Sequence, residues 1–136
     1  MRGWGLVLAT ALLAAPAVAL ADPCEGALPA PGARFDGPVR YVGDGDSLCV
    51  GRSSDPSTWI EVRVSDFYAP ELNSPGGRAA KTMLEDVVWR QYLQCRAIKH
   101  SYDRVVARCT IDGASVGDLL RARGGVEGGN GRGGRR

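Results

Sequence analysis

Four side chains of this 136-residue chain have types and spacing that suit phosphate chemistry: Asp46, Arg63, Glu71 and Arg104. Hydrolysis of a phosphodiester builds negative charge on the non-bridging oxygens, and planar guanidinium forks can hold it. The reaction needs a base to take a proton from water. It commonly needs a hard cation held by carboxylates. Asp46 closes the turn in "YVGDGDSLCV", and Arg63 lies in the stretch "WIEVRVSDF". Glu71 follows Ala69-Pro70 in a loop eight residues after Arg63, and Arg104 follows "SYD". Singly, each has a plain structural explanation. Asp in a hairpin turn is turn chemistry, an Arg on a strand face is usually solvated, and Glu71 and Arg104 can be loop charges. Together they supply two forks, a base and a cation ligand.

The elements that must position them can be read from periodicity. "VRYVG" and "SLCVG" bracket Asp44-Gly45-Asp46, and Asp-Gly between apolar runs predicts a hairpin. In "WIEVRVSDF" Ile60, Val62 and Val64 alternate with Glu61, Arg63 and Ser65, the pattern of a half-buried strand. "YAPELNSPGG" is a loop. Ser74-Pro75 offers an N-cap with proline at the first helical position. Ala80, Leu84, Val87 and Val88 then recur at helical spacing, which predicts a helix over 76–91. "YLQCRAI" and "VVARCTI" read as two further strands joined by "KHSYDR". Ser115 with Asp118 forms a capping-box-like start to a short second helix ending near Arg123, with Gly124 at its exit. The order β-β-β-α-β-β-α suits a small, partly open five-stranded barrel of the OB type, an α+β, mainly β fold.

The ends divide from this body. Arg2 precedes the apolar run "LVLATALLAAPAVAL", which is short for a membrane span, and Ala19-Leu20-Ala21 has the small-x-small form of a cleavage site. We therefore expect a signal peptide over 1–21, a mature chain starting at Asp22, and a periplasmic or secreted protein. An N-terminal anchor is the alternative. Residues 22–37 form a Pro/Gly/Ala-rich lead-in, 38–124 the folded domain, and 125–136 a disordered Gly/Arg-rich tail.

All four cysteines follow the cleavage site, and an even number in an oxidising compartment predicts two disulfides. Centring the last hairpin on Tyr102 sets Cys95 opposite Cys109, and Cys24 then pairs with Cys49 by elimination. The lack of a Cys-x-x-Cys pair and the single histidine, His100, argue against structural zinc. Without Arg2 and the tail's Arg132, Arg135 and Arg136, thirteen basic residues face fifteen acidic ones, a net of −2. That disfavours a general nucleic-acid binder with a broad basic face. Any phosphate must be handled by a few placed arginines.

"VGDGDSL", "VRVSDFYAPE", "SYDRVVA" and "DGASVGDLLRARG" occur in an order that resembles the thermonuclease family, the staphylococcal nuclease-like domains. The resemblance covers about residues 38–124 and implies an OB barrel with helices. It further implies metal-dependent, usually calcium-dependent, hydrolysis of DNA and RNA. We expect a monomer with no membrane partner after signal cleavage. By matching position, Asp46 resembles a calcium ligand, Arg63 and Arg104 resemble the arginines that grip the scissile phosphate, and Glu71 resembles the general base. The chain departs from the family pattern at three positions. The second calcium-binding aspartate falls on Tyr68, a phenol that is a poor ligand for a hard cation. Asp66, two residues earlier on the same side of a strand, would substitute if the strand end bends. His100 and Asp103 stand where an acid and a glycine are usual.

These departures leave two further readings beside the nuclease: a catalytically weakened OB module that binds nucleic acid or a partner protein, and a disulfide-stapled interaction domain. Tyr68 or Tyr102 could then stack on a base.

Overall fold

The computed structural model describes residues 9–13 and 22–128. Apart from 9–13, the expected signal segment therefore lies outside the described residues, as does the tail from 129. No helix among the described residues is long and apolar enough to cross a membrane.

The chain builds an α+β domain on a mostly antiparallel six-stranded sheet with two helices. The strands are β1 (Arg34–Asp44), β2 (Ser47–Val50), β3 (Ile60–Val64), β4 (Tyr92–Ser101), β5 (Arg104–Ile111) and β6 (Ala114–Ser115). The helices are α1 (Gly77–Val88) and α2 (Val116–Ala122). The sheet order is β3-β2-β1-β4-β5-β6, and β3 also pairs in parallel with β5. The five expected strands are present, with a two-residue sixth added before α2.

β1 begins at Arg34, inside the segment expected to be an irregular lead-in. Residues 34–38 pair with β4, and the rest of the strand pairs with β2. The change of partner falls between Pro38 and Val39, just after Gly37. A Cβ on Gly37 would meet the Gly51 carbonyl carbon at 2.9 Å, so only glycine lets the two backbones approach there.

The alternation in β3 holds: Val62 and Val64 are fully buried, while Glu61 and Arg63 lie on the other face. From β5, Val105, Ala107 and Cys109 enter the same core, with Leu93 from β4. α1 supplies Leu84, Val87 and Val88 and packs on β1 and α2, and α2 supplies Val116 and Leu120. Burying a Leu or Val side chain contributes roughly 1.5–3 kcal/mol each, which is what holds the two helices on the sheet.

Ser74 does not cap α1. Its hydroxyl and its N–H both donate to the Glu71 carbonyl, closing a separate turn, and Gly76 in the left-handed region becomes the N-cap. α1 also stops at Val88, short of 91, where Trp89 turns extended and Arg90 takes φ 63°. In α2, by contrast, the Ser115 hydroxyl accepts from the Asp118 N–H at 3.1 Å as expected, and Gly124 makes the left-handed exit.

Disulfides join Cys24 to Cys49 and Cys95 to Cys109, and no cysteine is left free. The expected pairing of Cys95 with Cys109 holds through two departures that cancel. The turn is the two-residue Tyr102-Asp103, closed by the Ser101–Arg104 pair, and a bulge at Ile98 shifts the register back by one. The positive φ of that turn, 57°, falls on Tyr102 rather than on Asp103.

Candidate active site

The β1–β2 turn is pressed against the body of the domain. A Cβ on Gly45 would come within 2.5 Å of the Ala69 methyl and 2.7 Å of the Ala80 methyl, so glycine is required for close approach. The two aspartates beside it have separate duties. Asp44 Oδ1 accepts from the Asp46 N–H at 3.0 Å and from the Ser47 hydroxyl at 2.8 Å, which makes Asp44 the turn residue. Asp46 is only 7% exposed. Its Oδ2 accepts from the Ala69 N–H at 3.0 Å and lies 3.5 Å from Nη2 of Arg63. Burial, then the neighbouring Asp44 charge, pushes the Asp46 carboxyl up to about 7 against the opposing pull of Arg63.

Arg63 reaches this carboxylate because Ser47 and Arg63 are register partners across β2 and β3, so the strand delivers the guanidinium beside the turn. The guanidinium carbon also lies 4.6 Å from the centre of the Tyr68 ring. Tyr68 is thus an aromatic platform for Arg63, held by cation–π attraction. That contact occupies a ring the sequence offered for stacking on a base.

Arg104 opens β5, with Val105 and Val106 paired to Val62 and Arg63 of β3. Arg104 and Arg63 therefore lie on one face of adjacent strands, with Cα atoms about 8 Å apart from strand spacing and rise. Glu71 is exposed in the loop between β3 and α1, its carbonyl fixed by Ser74. Among the described ion pairs, none holds its carboxylate.

Asp66 takes a different direction. Its carboxylate packs against Gly117 at the start of α2, where a Cβ would lie 2.6 Å from Oδ2. Oδ1 is buried without a hydrogen-bond partner among the described residues. The Asp66 carbonyl accepts from Arg121 of α2. Among the described residues, no group of three or more acidic, Cys or His side chains within 4.8 Å of one another includes Asp46 or Asp66. Calcium takes six to eight oxygen ligands. Asp46, with Asp44 beside it, offers carboxylate oxygens from one turn, whereas Tyr68 and Asp66 add none there. For a hard cation the described residues would therefore supply Asp46 as a single carboxylate ligand, an incomplete shell.

Sequence reasoning missed Glu61. Its carboxylate lies with those of Asp22 and Asp103 inside 4.8 Å. Partial burial, then the charges of Asp22 and Asp103, push Glu61 up to about 7, while Arg104 pulls it down. The available signal was the i, i+2 spacing of Glu61 and Arg63 on one strand face. Its proximity to Asp22 and Asp103 depends on tertiary contacts that no local pattern carries.

Neither the protein-family models nor the curated proteins compared with the chain give a match.

Proposed function

We propose that this chain is a metal-dependent phosphodiesterase that hydrolyses DNA or RNA, built on an OB-type barrel like that of the thermonuclease family. The carrying observation is the convergence of Asp46 and Arg63 at the β2 and β3 edge, with Arg104 one strand over on the same face. The parallel β3–β5 pairing links both ends of the run β3-β2-β1-β4-β5 and supports the barrel. The two disulfides support a periplasmic or secreted site of action after removal of residues 1–21. The protein acts as a monomer with no membrane partner.

Calcium held by Asp46 supplies Lewis-acid polarisation of a phosphoryl oxygen when bound. The remaining steps belong to the chain's own residues. A phosphate oxygen replaces the Asp46 carboxylate as the partner of Arg63, whose approach the Tyr68 ring keeps fixed. Arg104 takes a second non-bridging oxygen. Glu71 accepts the proton of the attacking water as the new O–P bond forms, and the bond to the leaving oxygen breaks. Asp66 stays with α2 outside this set.

Glu71→Gln keeps the shape of the side chain and removes the base. On single-stranded DNA with added calcium, it should lose activity by about 10²-fold or more, and chelator should stop the wild-type enzyme. Full activity in Glu71→Gln sinks the mechanism. A second reading, a catalytically weakened OB module, draws on Tyr68 standing where the pattern has a carboxylate. Binding of DNA with no hydrolysis across calcium, magnesium and manganese selects it.

A further inference from the structure

We propose that Arg34, Arg96 and Arg108 form a second phosphate-binding row, which holds single-stranded nucleic acid across the outer face of β1, β4 and β5. Arg34 is the register partner of Arg96, and Arg96 is the register partner of Arg108. Three guanidiniums therefore stand side by side on adjacent strands, and all three residues are exposed. Like charges directly opposite one another destabilise a sheet. Among the described residues none of the three has an ion-pair partner, although the body of the chain carries an excess of acids. The acid closest along the strand, Asp36, is already taken: its Oδ1 accepts from Arg52 at 2.6 Å and from the Tyr92 hydroxyl at 2.7 Å. A cationic row left unneutralised in such a background fits an external polyanion.

The geometry narrows the occupant. Two inter-strand spacings give the row a length of about 10 Å, which spans two to three phosphates of one strand. The row borders a hollow of about 550 Å³ whose lining includes Ile98. Ile98 is the bulged residue of β4 and is 51% exposed. Guanidiniums for phosphates beside an exposed apolar side chain, Ile98, for a sugar or base favour a nucleic acid over a small anion or a lipid surface. Arg104 and Arg108 share one side of β5 four residues apart, about 13 Å by strand rise. The row thus continues the line of Arg104 away from the proposed scissile phosphate. The choice of nucleic acid rests on the phosphodiesterase reading. The row itself does not.

The test uses the full chain in chelator, where nothing is cut, with a fluorescein-labelled 12-mer of thymidylate read by anisotropy across a salt series. Wild type should bind, and Arg34→Gln/Arg96→Gln/Arg108→Gln should bind at least tenfold more weakly, with a log–log salt slope shallower by about 2. The triple variant should melt at or above the wild-type temperature, because like charges have been removed. If it melts lower, Arg96→Gln alone decides, with an expected threefold loss. With calcium, the triple variant should raise KM for long single-stranded DNA and leave kcat/KM for a dinucleotide, too short to reach the row, unchanged. Equal affinity and slope in wild type and variant overturn the row. So does a wild type that binds no oligonucleotide, or row-dependent binding to phosphatidylserine vesicles without row-dependent binding to the oligonucleotide. Loss of the catalytic assignment through an active Glu71→Gln leaves the anisotropy result standing.

Discussion

Replacing Tyr68 by aspartate would add a carboxylate at the loop edge next to Asp46 and remove the ring under Arg63. Ligand charge tunes calcium affinity, so Tyr68→Asp should bind calcium roughly tenfold more tightly by titration calorimetry. Hydrolysis should then saturate at correspondingly lower calcium. No change in calcium affinity would mean that the ion does not sit beside Asp46. Arg63→Lys tests the other half of the pair. Lysine keeps the charge but cannot offer two parallel N–H groups or stack flat on Tyr68. Loss of one positioned donor to a developing charge costs about 10²–10³ in kcat, and a drop of that order is expected at saturating substrate. A change confined to KM would assign Arg63 to ground-state binding only.

The strands bear on how firmly these side chains are presented. The Cys95–Cys109 bridge crosses β4 and β5 between register partners with a sequence separation of 14. A loop of that size restricts the unfolded chain by about 3 kcal/mol, so Cys95→Ala/Cys109→Ala should lose about that much in urea unfolding. Much smaller loss would show that the β4–β5 ladder is held by its hydrogen bonds and core contacts alone. This hairpin also shows what the sequence could and could not disclose. The alternation of buried Val105, Ala107 and Cys109 is local chemistry and legible, as is the Ser115 cap. The bulge at Ile98 is not, because an extra residue in a strand leaves no compositional mark. Ser74 had the type and position of a cap, yet the Glu71 carbonyl competes for both its donors. Arg63 and Asp46 were both legible as candidate site residues. Their direct contact follows from the Ser47–Arg63 register, which only the paired strands define. Asp66 had the right type near the right place, and packing against Gly117 turned it toward α2.

At the scale of the whole molecule, two carboxyl groups give the fold a pH dependence whose sign follows from their shifts. Asp46 and Glu61 are both pushed up to about 7 from the ordinary carboxylate values of 3.8 and 4.5. Between the ordinary carboxylate range and about 7, the folded protein therefore holds protons that the unfolded chain has released. Stability falls with rising pH wherever the native state binds more protons. The contribution is fully present below the unfolded values and is lost as pH climbs through the folded ones. The shifts of Asp36 and Asp55 run downward, so their effect belongs to the more acidic range and leaves the window from pH 5 to 8 to the first pair. Urea unfolding in chelator should then show a protein more stable at pH 5 than at pH 8. Glu61→Gln and Asp46→Asn should each flatten part of that slope, and the double variant nearly all of it. Calcium separates the two groups. An ion on Asp46 favours its charged form and should restore stability at pH 8 in wild type and in Glu61→Gln, but not in Asp46→Asn. Stability that rises from pH 5 to pH 8 in chelator would overturn the assignment of both raised carboxyls. A calcium response that persists in Asp46→Asn would move the ion to another site.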